Sequence, residues 1–351
     1  MKKQTLRKLD LAGQNRPFII AEMSGNHNQS LERALKLVDA AAKSGVDAIK
    51  LQTYTADTIT FKGAFQIKDK NSLWDGQDLY DLYKTAYTPW EWHKKIFNHA
   101  KKKGMVAFSS PFDETAVDFL ERLDVPLYKI ASFENTDHLL LKKVAKTRKP
   151  IIMSTGASSV ADIQESMEVL RSAGCKQIVL LKCTSTYPAE PIDTNILTIP
   201  HMRQLFDCPI GLSDHTRGIG VAVASVALGA RVIEKHFTLR RADGGVDSAF
   251  SLEPEELENL VVESERAWQS LGNVSYSLSK KESNSVFFKR SLFVVKDISK
   301  GEKFTTENVK SIRPSTGMHT RYYKEVIGKR ASTDINAGSP LNFNNIDEDI
   351  D

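Results

Sequence analysis

Eight short apolar runs recur through the first three quarters of this chain, most of them separated by segments of helical period. They are PFIIAEM (17 to 23), AIKLQTY (48 to 54), MVAFSSPF (105 to 112), LYKIAS (127 to 132), PIIMSTG (150 to 156), IVLLKCTSTY (178 to 187), PIGLSDHT (209 to 216) and RVIEKHFTL (231 to 239). The intervening segments carry helix punctuation. Ser30 can cap LERALKLVDAAAKSG, which stops at Gly45, and Ser159 stands in capping-box spacing with Asp162 before Gly174. Strands alternating with helices imply parallel pairing through right-handed crossovers. Eight such units in about 250 residues predict an α/β fold, a closed (β/α)8 TIM barrel.

In such a barrel the chemistry sits at the carboxyl ends of the strands. Polar residues crowd those ends here: Glu22, Lys50, Gln52, Ser109, Ser110, Lys129, Ser132, Glu134, Ser154, Lys182, Ser185, Tyr187, Ser213, His215 and His236. Lysines and carboxylates converging from several strands are costly to bury without a ligand, the alternative being a self-neutralising ring of ion pairs. His215 and His236 close the seventh and eighth runs, which makes them neighbours on one rim. Two imidazoles near Glu134 suit a divalent cation of borderline hardness. Lysines and hydroxyls around them suit a substrate bearing phosphate or carboxylate. Together they favour a metal-assisted reaction at a carbonyl with a phosphorylated partner.

Composition narrows the setting. The chain of 351 residues is 41% hydrophobic and 26% charged, with a net charge of +4 that is dispersed rather than gathered into a stripe, so nucleic acid is not indicated. No segment reads as a signal peptide or a bilayer span, and Cys175, Cys183 and Cys208 lack paired metal spacing. A cytoplasmic enzyme with reduced thiols is expected.

Residues 1–272 are read as the barrel and 273–287, polar and Ser-rich, as a linker. The remainder, 288–351, repeats itself: DISKGEKFTTENV (297 to 309) and DINAGSPLNFNNI (334 to 346) predict a small pseudo-symmetric β-rich domain. Arg313 lies in the turn-rich loop between the copies.

The motifs AEMSGNHNQS, KLQTYTADT, FSSPFD, YKIASFE, STGAS, LKCTSTYP, GLSDHT, EKHFT and a C-terminal RPSTG occur in this order, nearly end to end. In these the chain resembles the sialic acid synthase family, which condenses phosphoenolpyruvate with an acylated amino sugar and carries an antifreeze-like (SAF) domain after its barrel. WDGQDLYDLYKTAYTPWEWH (74 to 93) and RADGGVDSAFSLEPEEL (241 to 257) resemble the branch that makes pseudaminic acid from 2,4-diacetamido-2,4,6-trideoxy-L-altrose, rather than the N-acetylneuraminate or legionaminate branches. The aromatic surface of the first motif, with Trp74, Tyr80, Tyr83, Tyr87, Trp90 and Trp92, suits a sugar with a methyl and a second acetamido group.

The resemblance implies roles residue by residue. His215 and His236 fall on the ligands of a divalent cation, most often Mn2+, with Mg2+ or Co2+ as alternatives. Glu134 and Glu22 fall on catalytic carboxylates. Lys50, Ser110, Lys129, Ser132, Ser154, Ser185 and Ser213 fall on the groups that hold phosphoenolpyruvate. Gln52, Gln77, Tyr187 and Asp247 fall near the sugar, although the loop around Gln77 departs from the neuraminate pattern. Arg313 falls on an arginine that reaches the other subunit's site in a domain-swapped homodimer. Two rival classes stand beside this reading: a Schiff-base aldolase using Lys50, Lys129 or Lys182, and a non-catalytic sugar-binding protein built around the C-terminal domain.

Overall fold

A computed structural model describes residues 16–70 and 73–347. All eight apolar runs form strands: β1 (Phe18–Glu22), β2 (Ala48–Thr53), β3 (Val106–Pro111), β4 (Tyr128–Ile130), β5 (Ile151–Ser154), β6 (Ile178–Cys183), β7 (Ile210–Asp214) and β8 (Val232–His236). Each pairs in parallel with the next, and β8 returns to β1, closing the barrel. The chain divides into two compact units, Met1–Gly272 and Asn273–Asp351.

Alternation along the strands decides what each residue faces. One set, including Phe18, Ile20, Ala48, Phe108, Leu127, Ile152, Val179, Leu181 and Val232, packs as a single apolar cluster inside the barrel. The other set, with Ile19, Leu51, Tyr128, Ile130, Met153, Leu180, Leu212 and Ile233, packs outward against the helices. The lumen is therefore closed by hydrocarbon toward the amino ends of the strands. Only toward the carboxyl ends does the inward set turn polar, through Glu22, Lys50, Gln52, Ser110, Lys129, Ser154, Ser213, Glu234 and His236.

The outer layer comprises α1 (Leu31–Lys43), α2 (Leu79–Ala86), α3 (Trp90–Lys102), α4 (Glu114–Arg122), α5 (His138–Lys146), α6 (Val160–Ser172), α7 (Thr198–Phe206), α8 (Gly220–Ala227) and α9 (Pro254–Ser270). The expected caps are present. Ser30 accepts from Arg33 N–H, and Ser159 and Asp162 complete a capping box. No helix among the described residues is long and apolar enough to cross a membrane.

In the smaller unit the two sequence repeats pair with each other. Ile298 and Ile335 exchange backbone hydrogen bonds of 2.9 and 2.8 Å, and the repeat glycines Gly301 and Gly338 both adopt positive φ. Strands β9 (Ser291–Val294) and β10 (Val309–Ile312) run antiparallel, and Leu292, Val294, Phe304, Val309 and Leu341 form the core. The polar stretch 273–287, read as a linker, carries a short helix, α10 (Lys280–Ser285). It starts at Ser279, which accepts from Glu282 N–H in a capping box that composition alone had masked.

Candidate active site

The polar cap of the lumen is a network of charges. Glu22 and Lys50 are register partners on β1 and β2, and Glu22 Oε2 lies 2.7 Å from Lys50 Nζ. Glu234 Oε1 sits 3.6 Å from both Lys50 Nζ and Lys129 Nζ and accepts from Ser213 Oγ at 3.4 Å. Lys50 also donates to Ser110 Oγ at 3.3 Å, and Lys129 to Ser154 Oγ at 2.7 Å. Burial alone would discharge Glu234, but attraction from Lys129 and Lys50 holds its carboxyl below the usual range. Lys129 is held low by burial, which Glu234 only partly offsets.

Two further groups of polar side chains flank this network. On one side, Gln52 donates to Glu22 Oε1 at 3.0 Å and to Ser24 Oγ at 3.2 Å, and Ser24 donates to Asp247. On the other, Ser132 accepts from Gly156 N–H at 3.2 Å, while Ser185 lies 3.6 Å from Cys183 Sγ. A Cβ at Gly156 would collide with the Ser185 and Ser132 hydroxyls, so glycine lets them close around the backbone there.

His215 and His236 stand with ring centroids 5.3 Å apart. Tyr187 tilts over His215 at 4.4 Å, and Phe250 packs edge-on against His236 at 4.9 Å. His215 Nδ1 lies 2.9 Å from the Thr184 carbonyl and so must donate to it, leaving the lone pair of the neutral ring on Nε2. His236 is kept neutral by burial and by its cationic neighbours, and its Nδ1 is buried with no hydrogen-bond partner. Asp247 Oδ2 is 3.7 Å from that nitrogen. Burial opposes charge on His215, but the neighbouring Cys183 outweighs it and raises that imidazole; a divalent cation of borderline hardness would take the place of the proton on its Nε2 and meet the neutral His236 beside it. Among the described residues, no three His, Cys, Asp or Glu side chains form a ready-made cage for one.

Glu134, in a turn of 3-10 helix after β4, has a buried and unpartnered Oε2. Burial, only partly offset by Lys129, raises its carboxyl to about 7. A group that titrates there can take up and return a proton at neutral pH.

The structure divides the residues expected at the rim. Glu22, Lys50, Gln52, Ser110, Lys129, Ser154, Ser213 and His236 face inward on their strands, and Ser132, Glu134, Ser185, Tyr187, His215 and Asp247 join them from the loops beyond. Ser109 and Lys182 occupy the outward frame and do not join. Ser109 bonds Thr53 Oγ1 at 2.6 Å, beside His93, and Lys182 donates to the Cys183 carbonyl at 3.0 Å and to Thr184 Oγ1. Gln77 is exposed in a loop, where its backbone bonds Ile67 and Trp74. Arg313 is exposed in the smaller unit just after β10.

The aromatics of residues 74–93 separate likewise. Trp74 tilts against Tyr187 at 5.9 Å and donates to the Val246 carbonyl at 3.2 Å, and Tyr83 feels the charge of Glu134. Trp90 and Trp92 pack inward against Phe119 and His27, and Tyr80 bonds Asp57 at the surface.

This geometry meets the sequence motifs in a model of the NeuB family that matches residues 37–276, followed by an SAF domain at 289–347. The chain belongs to the NeuB family. It is 46% identical over 327 residues to the pseudaminic acid synthase of Campylobacter jejuni subsp. jejuni serotype O:2, covering 92% of this chain and 95% of that protein. It is 40% identical to the pseudaminic acid synthase of Helicobacter pylori, covering 95% and 99%. Among solved structures it resembles the N-acetylneuraminic acid synthetase of Leptospira borgpetersenii, with a TM-score of 0.70 and 31% identity over 78% of this chain and 90% of that one. The resemblance read from the motifs is borne out, as is the barrel followed by an SAF domain.

Sequence reasoning missed Glu234, the carboxylate shared by the two lysines. The signal was there: it stands two residues before His236 on the same strand, as Ser213 stands two before His215, and period-two spacing puts each pair on one face. Cys183 was missed because its strand frame could not be read from residue types, and Ser24 because it lies in the turn beyond β1.

Proposed function

We propose that this NeuB-family chain condenses phosphoenolpyruvate with 2,4-diacetamido-2,4,6-trideoxy-L-altrose and water, forming pseudaminic acid and releasing phosphate. The observation that carries the reading is the buried pair Lys50 and Lys129, each hydrogen-bonded to a hydroxyl and only 3.6 Å from Glu234, beneath two imidazoles. An anion can displace part of that carboxylate's hold on the lysines. The pseudaminic branch is supported by identities of 46% and 40% to proteins of that name.

Lys50 and Lys129, with Ser110, Ser132, Ser154, Ser185 and Ser213, hold the phosphate and carboxylate of phosphoenolpyruvate by charge-assisted hydrogen bonds. Glu22, Gln52, Tyr187, Asp247 and Trp74 shape the sugar side, with Gln77 on the loop above. His215 and His236 would hold a divalent cation, Mn2+ first among the choices, which when bound supplies Lewis acidity and a template. A new bond joins carbon three of phosphoenolpyruvate to the open-chain aldehyde carbon, leaving carbon two as an oxocarbenium, and the aldehyde oxygen takes a proton from solvent. Water then adds to carbon two, giving up its proton to Glu134. The tetrahedral intermediate expels phosphate by carbon–oxygen cleavage, the proton of the carbon-two hydroxyl passing to the departing phosphate, and leaves the ketone. The lysines act as fixed charges, and no amine condenses with substrate.

The barrel's catalytic face supports a homodimer. Phe61, Phe133, Leu139, Ile192 and Leu197 all lie on segments that follow barrel strands at their carboxyl ends, and each is more than 60% exposed. We assign their cover to the SAF domain of a second subunit, which brings Arg313 to the sugar. The enzyme works in the cytoplasm, where phosphoenolpyruvate is made.

The test is mass spectrometry of products from phosphoenolpyruvate with a panel of acylated amino sugars. The altrose compound should give a nine-carbon acid with loss of phosphate. Efficient use of N-acetylmannosamine or of the legionaminate precursor, with none of the altrose compound, would move the assignment to a sister branch. Borohydride trapping of a substrate on lysine would replace it with an aldolase.

A further inference from the structure

Outward-facing positions on the barrel strands are mostly apolar, since they pack against helices, with Thr53, Ser109 and Lys182 as polar exceptions near the carboxyl ends. Asp214 and Lys235 break that rule too. They are register partners on β7 and β8, one residue before His215 and one before His236, and each side chain is only 1% exposed. Lys235 Nζ donates to Asp214 Oδ2 at 2.8 Å and also to the Thr216 carbonyl, while Asp214 Oδ1 accepts from Thr216 N–H at 2.9 Å. The three bonds therefore grip the chain on both sides of His215 and tie it to the residue that precedes His236.

A buried ion pair is a poor source of stability, because desolvating two charges cancels much of their attraction. Apolar residues would serve helix packing at this place as well or better. What the pair supplies instead is position. The end of β8 is already held, because Phe237 N–H donates to the Glu22 carbonyl and Leu252 N–H to that of His236. β7 ends at Asp214, so His215 stands one residue past the strand, where its carbonyl accepts from Ala189 N–H at 3.1 Å and its Nδ1 bonds the Thr184 carbonyl; those bonds run to the loop after β6, whereas Asp214 and Lys235 link it toward β8 and His236. The geometry points to Asp214 and Lys235 as positioning residues that set the separation of the His215 and His236 imidazoles from behind, on the face opposite the lumen. The inference rests on the reading of those imidazoles as cation ligands.

The test is Mn2+ binding, followed by electron paramagnetic resonance, to the full-length protein and to the Asp214→Asn, Lys235→Met and doubly substituted variants, with melting temperature measured on each. His215→Ala serves as the reference for loss of the site. Supports behind metal-binding histidines typically contribute 10- to 100-fold in affinity. Each single variant should weaken Mn2+ binding by about that factor and also melt lower, because it strands a buried charge, whereas the double variant should regain melting temperature but not Mn2+ affinity, and should bind no more weakly than the worse single because the two act as one unit. Lys235→Arg, which keeps the charge, should recover part of the loss. Should Lys235→Met fail to fold, Asp214→Asn preserves volume and one acceptor and carries the test alone. Binding within twofold of the unsubstituted protein in every variant would overturn the assignment, as would losses that merely track melting temperature. Absence of Mn2+ binding by the unsubstituted protein would overturn the cation reading itself and the positioning role with it.

Discussion

Glu22 and Lys50 face one another as direct register partners across β1 and β2, joined at 2.7 Å with both side chains almost wholly buried. Removing one charge from such a pair costs more than the pair contributes, because its partner is left stranded. Lys50→Met should therefore destabilise the barrel by about 3–5 kcal/mol, a fall in melting temperature of roughly 6–10 °C for a unit of this size. Adding Glu22→Gln to that variant should recover part of the loss, since fewer carboxylates then compete for Lys129. Calorimetry of the single and double variants checks this, and a double variant weaker than Lys50→Met would show that the two residues do not act as a pair.

The unpartnered Oε2 of Glu134 makes a separate claim on pH. Burial raises this carboxyl to about 7, so the ionised form that accepts a proton is lost as pH falls through 7. Phosphate release at limiting phosphoenolpyruvate should show an ionisation near that pH. Glu134→Gln should lower turnover by about 10²- to 10⁴-fold and abolish that inflection while still binding both substrates. An inflection that persists in the variant would belong to another group.

Much of this was legible in the chain and some was not, for a definable reason. Eight apolar runs with helix caps between them specify the barrel, because only alternating strands and helices explain both signals at once. His215 and His236 could be paired because each closes such a run. The frame of each strand was harder to read. A shift of one residue exchanges lumen for helix layer, and in SerSer at 109 and 110, or LysCys at 182 and 183, nothing in the residue types says which member turns inward. The frame becomes visible only through register: Cys183 pairs with Ser213, and Lys182 with the outward Leu212. Glu234 was hidden differently, as one charged residue in a charged run whose value lies in the two lysines that other strands bring to it.

Two buried histidines outside the site bear on stability. His27 Nε2 lies 3.1 Å from Thr88 Oγ1 and His93 Nε2 2.8 Å from Thr53 Oγ1, and burial lowers both imidazoles to about 4. Between that value and 6.5 the unfolded chain binds protons that the folded one does not, so stability is full above about 6.5 and falls as pH drops toward 4. Each ring contributes up to about 3 kcal/mol to that fall. The melting temperature of His93→Gln should therefore decline less steeply between pH 6.5 and 4 than that of the unsubstituted protein, even if it starts lower. Equal slopes would mean that His93 is solvated or already charged in the folded state.

Acceptor choice should respond to Trp74, which ties the loop after β2 to the loops after β6 and β8 by resting on Tyr187 and donating to the Val246 carbonyl. Trp74→Ala removes an aromatic contact of about 0.5–1.5 kcal/mol. The Michaelis constant for the diacetamido sugar should rise about 2- to 10-fold, with that for phosphoenolpyruvate little changed. A larger effect on phosphoenolpyruvate than on the sugar would place Trp74 on the other side of the site.

Arg313 provides the test of assembly. If the SAF domain of one subunit serves the barrel of another, then Arg313→Ala and His215→Ala lesions fall on different sites when they are carried by different chains. A mixed dimer then holds one site with both lesions and one with neither. Mixing the two inactive proteins under conditions of subunit exchange should raise activity above the sum of the parents, toward half of the unsubstituted rate per mixed dimer. A planar guanidinium suits this role, since its fork can donate to an acetamido oxygen with fixed geometry, and Arg313→Lys should restore turnover only in part. Exchange confirmed by mass spectrometry with no recovered activity would place Arg313 at its own barrel or outside the site altogether.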